Sequence, residues 1–191
     1  MDATPLYGGA MSCVVPLGWL DCSAVRPVPD TQEMFFDDAS GGCLIVELMQ
    51  RQQAVPDSDC GSFFFNDLAG ANKAMHSEVF PQQQQSSPPK LQIDLDVVLD
   101  APRLGSGAFL GDIFCTLVQG LQRVSGPSNA PSDVVVTMGI LRLLPPAATD
   151  VLVTLSMPTR ATSLGREASL GLVRAVIASL AVHDVGLFVA E

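Results

Sequence analysis

The residues equipped for chemistry are few and scattered. His76 and His183 are the two histidines. A two-histidine metal site would need them to converge with a carboxylate, and neither has a partner at ligand spacing. A surface histidine and a helix-end cap account for them more simply. Ser12, Cys13 and Cys115 have no histidine near them in sequence to activate a nucleophile. Asp37 and Asp38 read as turn residues before they read as acid and base. Gly8-Gly9 and Gly105-Ser-Gly107 lack the lysine, hydroxyl residue and strand–loop–helix setting of a phosphate cradle. Binding explains this inventory better than catalysis.

A binding surface has a natural centre in Arg26-Pro-Val-Pro-Asp-Thr-Gln-Glu33. Pro27 and Pro29 fix their own φ and push the residues before them toward extended backbone. The segment is either a rigid recognition loop or a proline-rich turn between strands. The chain carries 20 Asp and Glu against 10 Lys and Arg, a formal charge of -10. Between Asp21 and Asp67 there are nine acids and two bases, Arg26 and Arg51. Such a field draws in a basic protein surface and repels a phosphate backbone, which argues against nucleic acid. Glu33 and Glu47 could meet lysine or arginine on a partner, and Arg26 could grip a carboxylate with both arms. Met34, Phe35 or Phe36 would add apolar area. The alternative is a solvated face with no specific task.

The chain has 191 residues, of which 48% are apolar and 16% charged. That suffices for a single domain over residues 1–191 that buries about two-thirds of its surface without metal or disulfide. Five cysteines form neither a CxxC pair nor an even framework, as expected of buried thiols in a reducing compartment. MDATPLYGGA lacks the basic and apolar regions of a leader, and no run approaches the roughly 18 apolar residues of a membrane span. The expectation is a soluble, intracellular chain without a membrane.

The elements follow from pattern. Leu6 onward reads as a short strand entered through Gly8 and Gly9 and ended by Pro16 and Gly18, with Trp19 and Leu20 packing the chain back. Thr31–Phe36 alternates, placing Met34 and Phe36 inward and Glu33 outward. After a polar connector at 37–42, Cys43–Met49 forms a second strand with Leu44, Val46 and Leu48 inward and Glu47 outward. That hairpin could bring Glu33 and Glu47 onto one surface. The spacing predicts a short helix from about Asp59 to Gly70. The glutamine and proline tract near 81–92 reads as a flexible insert. Ile93–Leu99 reads as an edge strand, and 108–124 as a further strand. Val134–Leu144 and Val151–Met157 are separated by too few residues for a crossover helix, so they must run antiparallel. A helix over 163–181 carries Leu172, Val173, Val176, Ile177 and Leu180 on one stripe, and the tail docks Leu187 and Phe188.

Several segments taken together resemble the Ran guanine nucleotide release factor family. They are LYGGA at 6–10, VVP-G at 14–18, RPVPDTQEMF at 26–35, LIVELM at 44–49, ILRL at 140–143, TDVLVTLSMP at 149–158 and HDVGLF at 183–188. The resemblance runs in order over nearly the whole chain, with 54–125 matching loosely. It implies an α/β/α sandwich with a central, mostly antiparallel sheet and helices on both faces, a fold shared with the PsbP group. It implies binding to the GTPase Ran, release of bound guanine nucleotide and a part in nuclear protein import. It further implies no cofactor, no covalent chemistry, a nuclear and cytoplasmic location, and a monomer on its own. Arg26, Asp30, Gln32 and Glu33 match the family's binding loop. Glu47 matches the first acid of the following strand pattern, whereas Gln50 stands where the second acid would be. That lost charge keeps open a second reading, a Ran-binding import adaptor with little exchange activity.

Overall fold

A computed structural model describes residues 3–22, 25, 27–81, 113–125, 130–143, 145, 147–161 and 165–188. The chain opens with β1 (Thr4–Leu6), a tight turn at Tyr7–Gly9, β2 (Met11–Cys13) and the two-residue β3 (Leu20–Asp21). The hairpin β4 (Gln32–Asp37) and β5 (Gly42–Gln50) leads to α1 (Cys60–Ala71) and β6 (His76–Val79). Three long strands follow: β7 (Phe114–Ser125), β8 (Pro131–Arg142) and β9 (Thr149–Pro158). Then come α2 (Arg166–Ala178) and β10 (Ala181–Val182).

Among the described residues the main sheet has the order β3-β4-β5-β9-β8-β7-β6, and every neighbouring pair is antiparallel. The expected antiparallel pairing of the last two long strands is present, with Ile140 opposite Leu152. Side chains alternate across each strand, and both faces of this sheet are covered. On one face Cys60, Phe64 and Phe65 of α1 meet Val118, Val136, Met138, Ile140 and Leu152. On the other, Val173, Val176 and Ile177 of α2 close over Leu44, Val46, Val153 and Leu155. The small sheet β1-β2-β10 completes that second layer, bringing Leu6, Met11 and Cys13 into the same core. The architecture is the α/β/α arrangement expected from the sequence.

Two local expectations change. Phe35, not Met34 or Phe36, is the buried residue of β4, at 3% exposure. It lies opposite Leu44, which itself pairs with Leu155 under the α2-side core, so the strand turns its other face from the one expected. Leu20 does not pack inward but stands 60% exposed on β3. The glutamine tract and the strand expected at Ile93–Leu99 lie outside the described residues. Among the described residues no helix is long and apolar enough to cross a membrane.

Where α1 crosses β7, a glycine sets the spacing. A Cβ on Gly120 would sit 2.3 Å from the Glu78 carbonyl oxygen and 2.4 Å from Cζ of Phe65. A backbone carbonyl cannot swing aside as a side-chain tip can. Gly120→Ala should therefore lower unfolding free energy by about 2–3 kcal/mol through overpacking, read as a shifted urea midpoint at unchanged m-value.

Candidate partner-binding site

The β4–β5 hairpin is pinned at its turn. The Asp37 carboxylate accepts from the Ala39 and Ser40 amides and from the Ser40 hydroxyl. The Ser40 hydroxyl, followed by those amides, holds the Asp37 carboxyl below its usual range despite some desolvation. The resulting register pairs Gln32 with Glu47, Glu33 with Val46, Met34 with Ile45 and Phe35 with Leu44. Because β4 starts where β5 ends, Asp30, Gln32, Glu33, Glu47 and Gln50 gather at one corner of the sheet. Within that corner the two acids part company. Glu47 projects beside Gln32, whose Nε2 donates to Glu47 Oε1 at 2.7 Å. Glu33 projects on the opposite, α2-side face with Val46 and Phe35. The expectation of one shared surface is corrected by the register: residues offset by one position across an antiparallel pair cannot share a face.

Glu33 has a partner that sequence reasoning missed. Tyr7 donates its backbone N–H to Glu33 Oε1. Its Oη lies 2.8 Å from the Val46 carbonyl oxygen and 3.2 Å from that of Thr31, so the hydroxyl links β5 to the residue that leads into β4. Burial, and then the negative charges of Glu33 and Glu47, push the Tyr7 phenol far above its ordinary value. It remains a donor throughout the physiological range. Tyr7, Gly8 and Gly9 all take positive φ, at 51°, 66° and 94°, and in this tight turn the Tyr7 amide meets Glu33. Asp30 and Gln50 are exposed, Gln32, Glu33 and Glu47 are half-buried, and Arg26 lies outside the described residues. Among the described residues no basic side chain pairs with Asp30, Glu33 or Glu47.

Behind the corner, a charged network secures the chain after Gln50. Arg142 is 1% exposed and Asp150 is fully buried. Arg142 Nε donates to Asp150 Oδ1 at 3.0 Å, Nη1 to the Val55 carbonyl at 2.7 Å, and Nη2 to the Gln52 carbonyl at 2.7 Å. Nη1 also reaches Asp57 Oδ1 at 2.8 Å, while Asp150 Oδ2 accepts the Gln52 amide at 2.9 Å. Arg51 meets Asp57 from outside at 3.2 Å. A lone arginine in the apolar run ILRL, opposite TDVLV, was the sequence signal for this clamp.

The candidate chemical groups are placed as follows. His76 is exposed and lies 3.7 Å from Glu78. His183 Nε2 lies 2.8 Å from Ser12 Oγ, a pairing the sequence concealed because 171 positions separate the two. It comes with the pairing of β10 to β2, where the His183 and Asp184 amides both donate to the Ala10 carbonyl. Among the described residues no carboxylate orients the second ring nitrogen, so the pair ties strands rather than forming a triad. Burial pushes the Cys13, Cys60 and Cys115 thiols up to about 11, which leaves them protonated and poor nucleophiles at neutral pH. Among the described residues no three His, Cys, Asp or Glu side chains cluster as metal ligands.

With this geometry in hand, a model of the family described as "Mog1: Ran-interacting Mog1 protein" matches residues 4–158. The chain belongs to the Mog1 family. It is 31% identical to the human Ran guanine nucleotide release factor, covering 96% of this chain and 95% of that protein. The zebrafish (Danio rerio) Ran guanine nucleotide release factor is 28% identical over 96% of this chain and 98% of its own length. The fission yeast (Schizosaccharomyces pombe) nuclear import protein mog1 is 26% identical over 83% and 77%. In fold, the chain is similar to the crystal structure of the Saccharomyces cerevisiae Ran-binding protein Mog1p. The TM-score is 0.65 at 22% identity, over 98% of this chain and 97% of that one.

In this Mog1-family chain the Arg142 clamp lends itself to direct measurement. Arg142→Met leaves Asp150 buried without its cation and should cost about 3–5 kcal/mol of stability. Adding Asp150→Leu to Arg142→Met should recover much of that loss, because an apolar pair of similar volume needs no desolvation. Urea denaturation of the two variants beside the parent checks both values.

Proposed function

We propose that this chain, acting as one binding domain and as a monomer, binds the small GTPase Ran and promotes release of its guanine nucleotide in support of nuclear protein import. The observation that carries the reading is membership of the Mog1 family over most of the chain, with near full-length likeness to Ran guanine nucleotide release factors. The reading needs no catalytic residue, cofactor or metal. Its place of action is the nucleus and cytoplasm, in keeping with a relative named as a nuclear import protein.

The proposed contact is the sheet corner, with Asp30, Gln32, Glu33, Glu47 and Gln50 as its residues; Arg26, from the same sequence motif and outside the described residues, is proposed as a further contact. Asp30 and Glu47 supply negative charge with no basic partner among the described residues, a suitable counterpart for lysine and arginine on a GTPase. Gln32 orients Glu47 through its 2.7 Å hydrogen bond. Glu33 lies on the other side of the strand, where its Oε1 takes the Tyr7 amide. Nucleotide release follows by linkage: a protein that binds empty Ran more tightly than loaded Ran weakens the nucleotide by the same factor. Acidic groups would compete for basic side chains that otherwise favour phosphate and magnesium.

A second reading is a Ran-binding import adaptor with little exchange activity. It is favoured by Gln50, an uncharged and exposed residue at the end of β5 where the family pattern has an acid. Release of labelled GDP and GTP from Ran, with and without this chain, separates the two. Glu47→Lys should weaken Ran binding by on the order of a hundredfold, because it sets like charges against each other. Parental binding should also weaken as salt rises. Normal Ran binding and nucleotide release by a folded Glu47→Lys protein would remove Glu47 from the contact.

A further inference from the structure

We infer that Tyr7 is a positioning residue that holds the binding corner in shape from the α2-side face of the sheet. The inference rests on the Ran-binding reading above for its function, though its geometry stands alone. Tyr7 has φ of 51°, in the left-handed region that non-glycine residues occupy only when their surroundings hold them there. Those surroundings are the corner itself. The Tyr7 amide is aimed at Glu33, and the Tyr7 hydroxyl is shared between the Val46 carbonyl on β5 and the Thr31 carbonyl at the entrance to β4.

Thr31 is the critical link. Its carbonyl also accepts the Leu48 amide at 2.9 Å, and the next residue, Gln32, donates its amide to the Pro29 carbonyl at 2.8 Å. The Tyr7 hydroxyl therefore closes a loop of bonds from the Pro29–Gln32 turn through Thr31 to Val46 and Leu48. Glu47 lies between the last two residues, and Asp30 lies inside the turn. Tyr7 braces this loop of bonds from the α2-side face. It touches the proposed partner surface only through the groups it orients.

Tyr7→Phe removes the hydroxyl and keeps the ring and the backbone. Amide hydrogen exchange of the free protein should then quicken three- to tenfold at Leu48 and Gln32, with the amides of the β8–β9 centre unchanged. Loss of one hydrogen bond lowers the share of binding-competent corner by that factor, so Ran affinity should fall about three- to tenfold. The penalty should shrink below twofold in a Glu47→Gln background, because the group being presented has lost its charge. A purely structural role would lower the melting temperature without this coupling. Unchanged exchange at Leu48 and Gln32 overturns the brace whether or not Ran binds. Quickened exchange with parental Ran affinity in Tyr7→Phe overturns its role in binding. Failure of the parent protein to bind Ran overturns the earlier reading instead, and the exchange arm still decides what Tyr7 holds.

Discussion

Everything at the corner depends on the one-residue alternation of side chains across the β4–β5 pair. With Gln32 opposite Glu47 and Glu33 opposite Val46, neighbouring acids of a short motif are sent to different sides of a single sheet. A slip of one position in β5 would turn Glu47 under α2 and take Val46 out of that core. The register is guarded at one end by Asp37 and Ser40, and in the middle by Leu44 and Val46 in the core. It is guarded at the other end by Tyr7. The motif is thus edge-on, offering one set of polar groups above the strand and another below.

Coverage of the sheet by apolar layers makes that polar corner tolerable. β9 is buried along nearly its entire length, with Val151, Val153 and Leu155 toward α2 and Leu152 toward α1. Its one buried carboxylate, Asp150, is also the place where β8 contributes its buried guanidinium. The pair is satisfied from four directions by backbone groups of residues 52 and 55 and by Asp57. Such a pair adds little net stability over an apolar one. Its effect is to dictate where the chain after Gln50 must run, and so where β5 must end.

Much of this was legible in the amino-acid order. The long antiparallel strands followed from a connection too short to cross over, and the α2 stripe put Val173, Val176 and Ile177 where the core has them. The short helix after Asp59 appeared despite Gly61. What was not legible depended on partners distant in sequence. Met34, Phe35 and Phe36 are three apolar residues in a row, so alternation alone could not choose the inner face. Pairing with Leu44 chose it. Glu33 looked solvent-facing because its ligand, the Tyr7 amide, lies 26 residues away. The Ser12–His183 contact was hidden by a still longer separation.

The pairing of β10 with β2 has a consequence for how the molecule folds. Ala181 lies opposite Ser12, so β2 gains its outer neighbour only by closing a loop that spans the rest of the fold. Contacts of such long sequence separation are slow to form, since the chain must be ordered before they reward it. The hairpin that carries Tyr7 thus draws its support from a distant part of the sequence, which ties the shape of the corner to the folding of the whole.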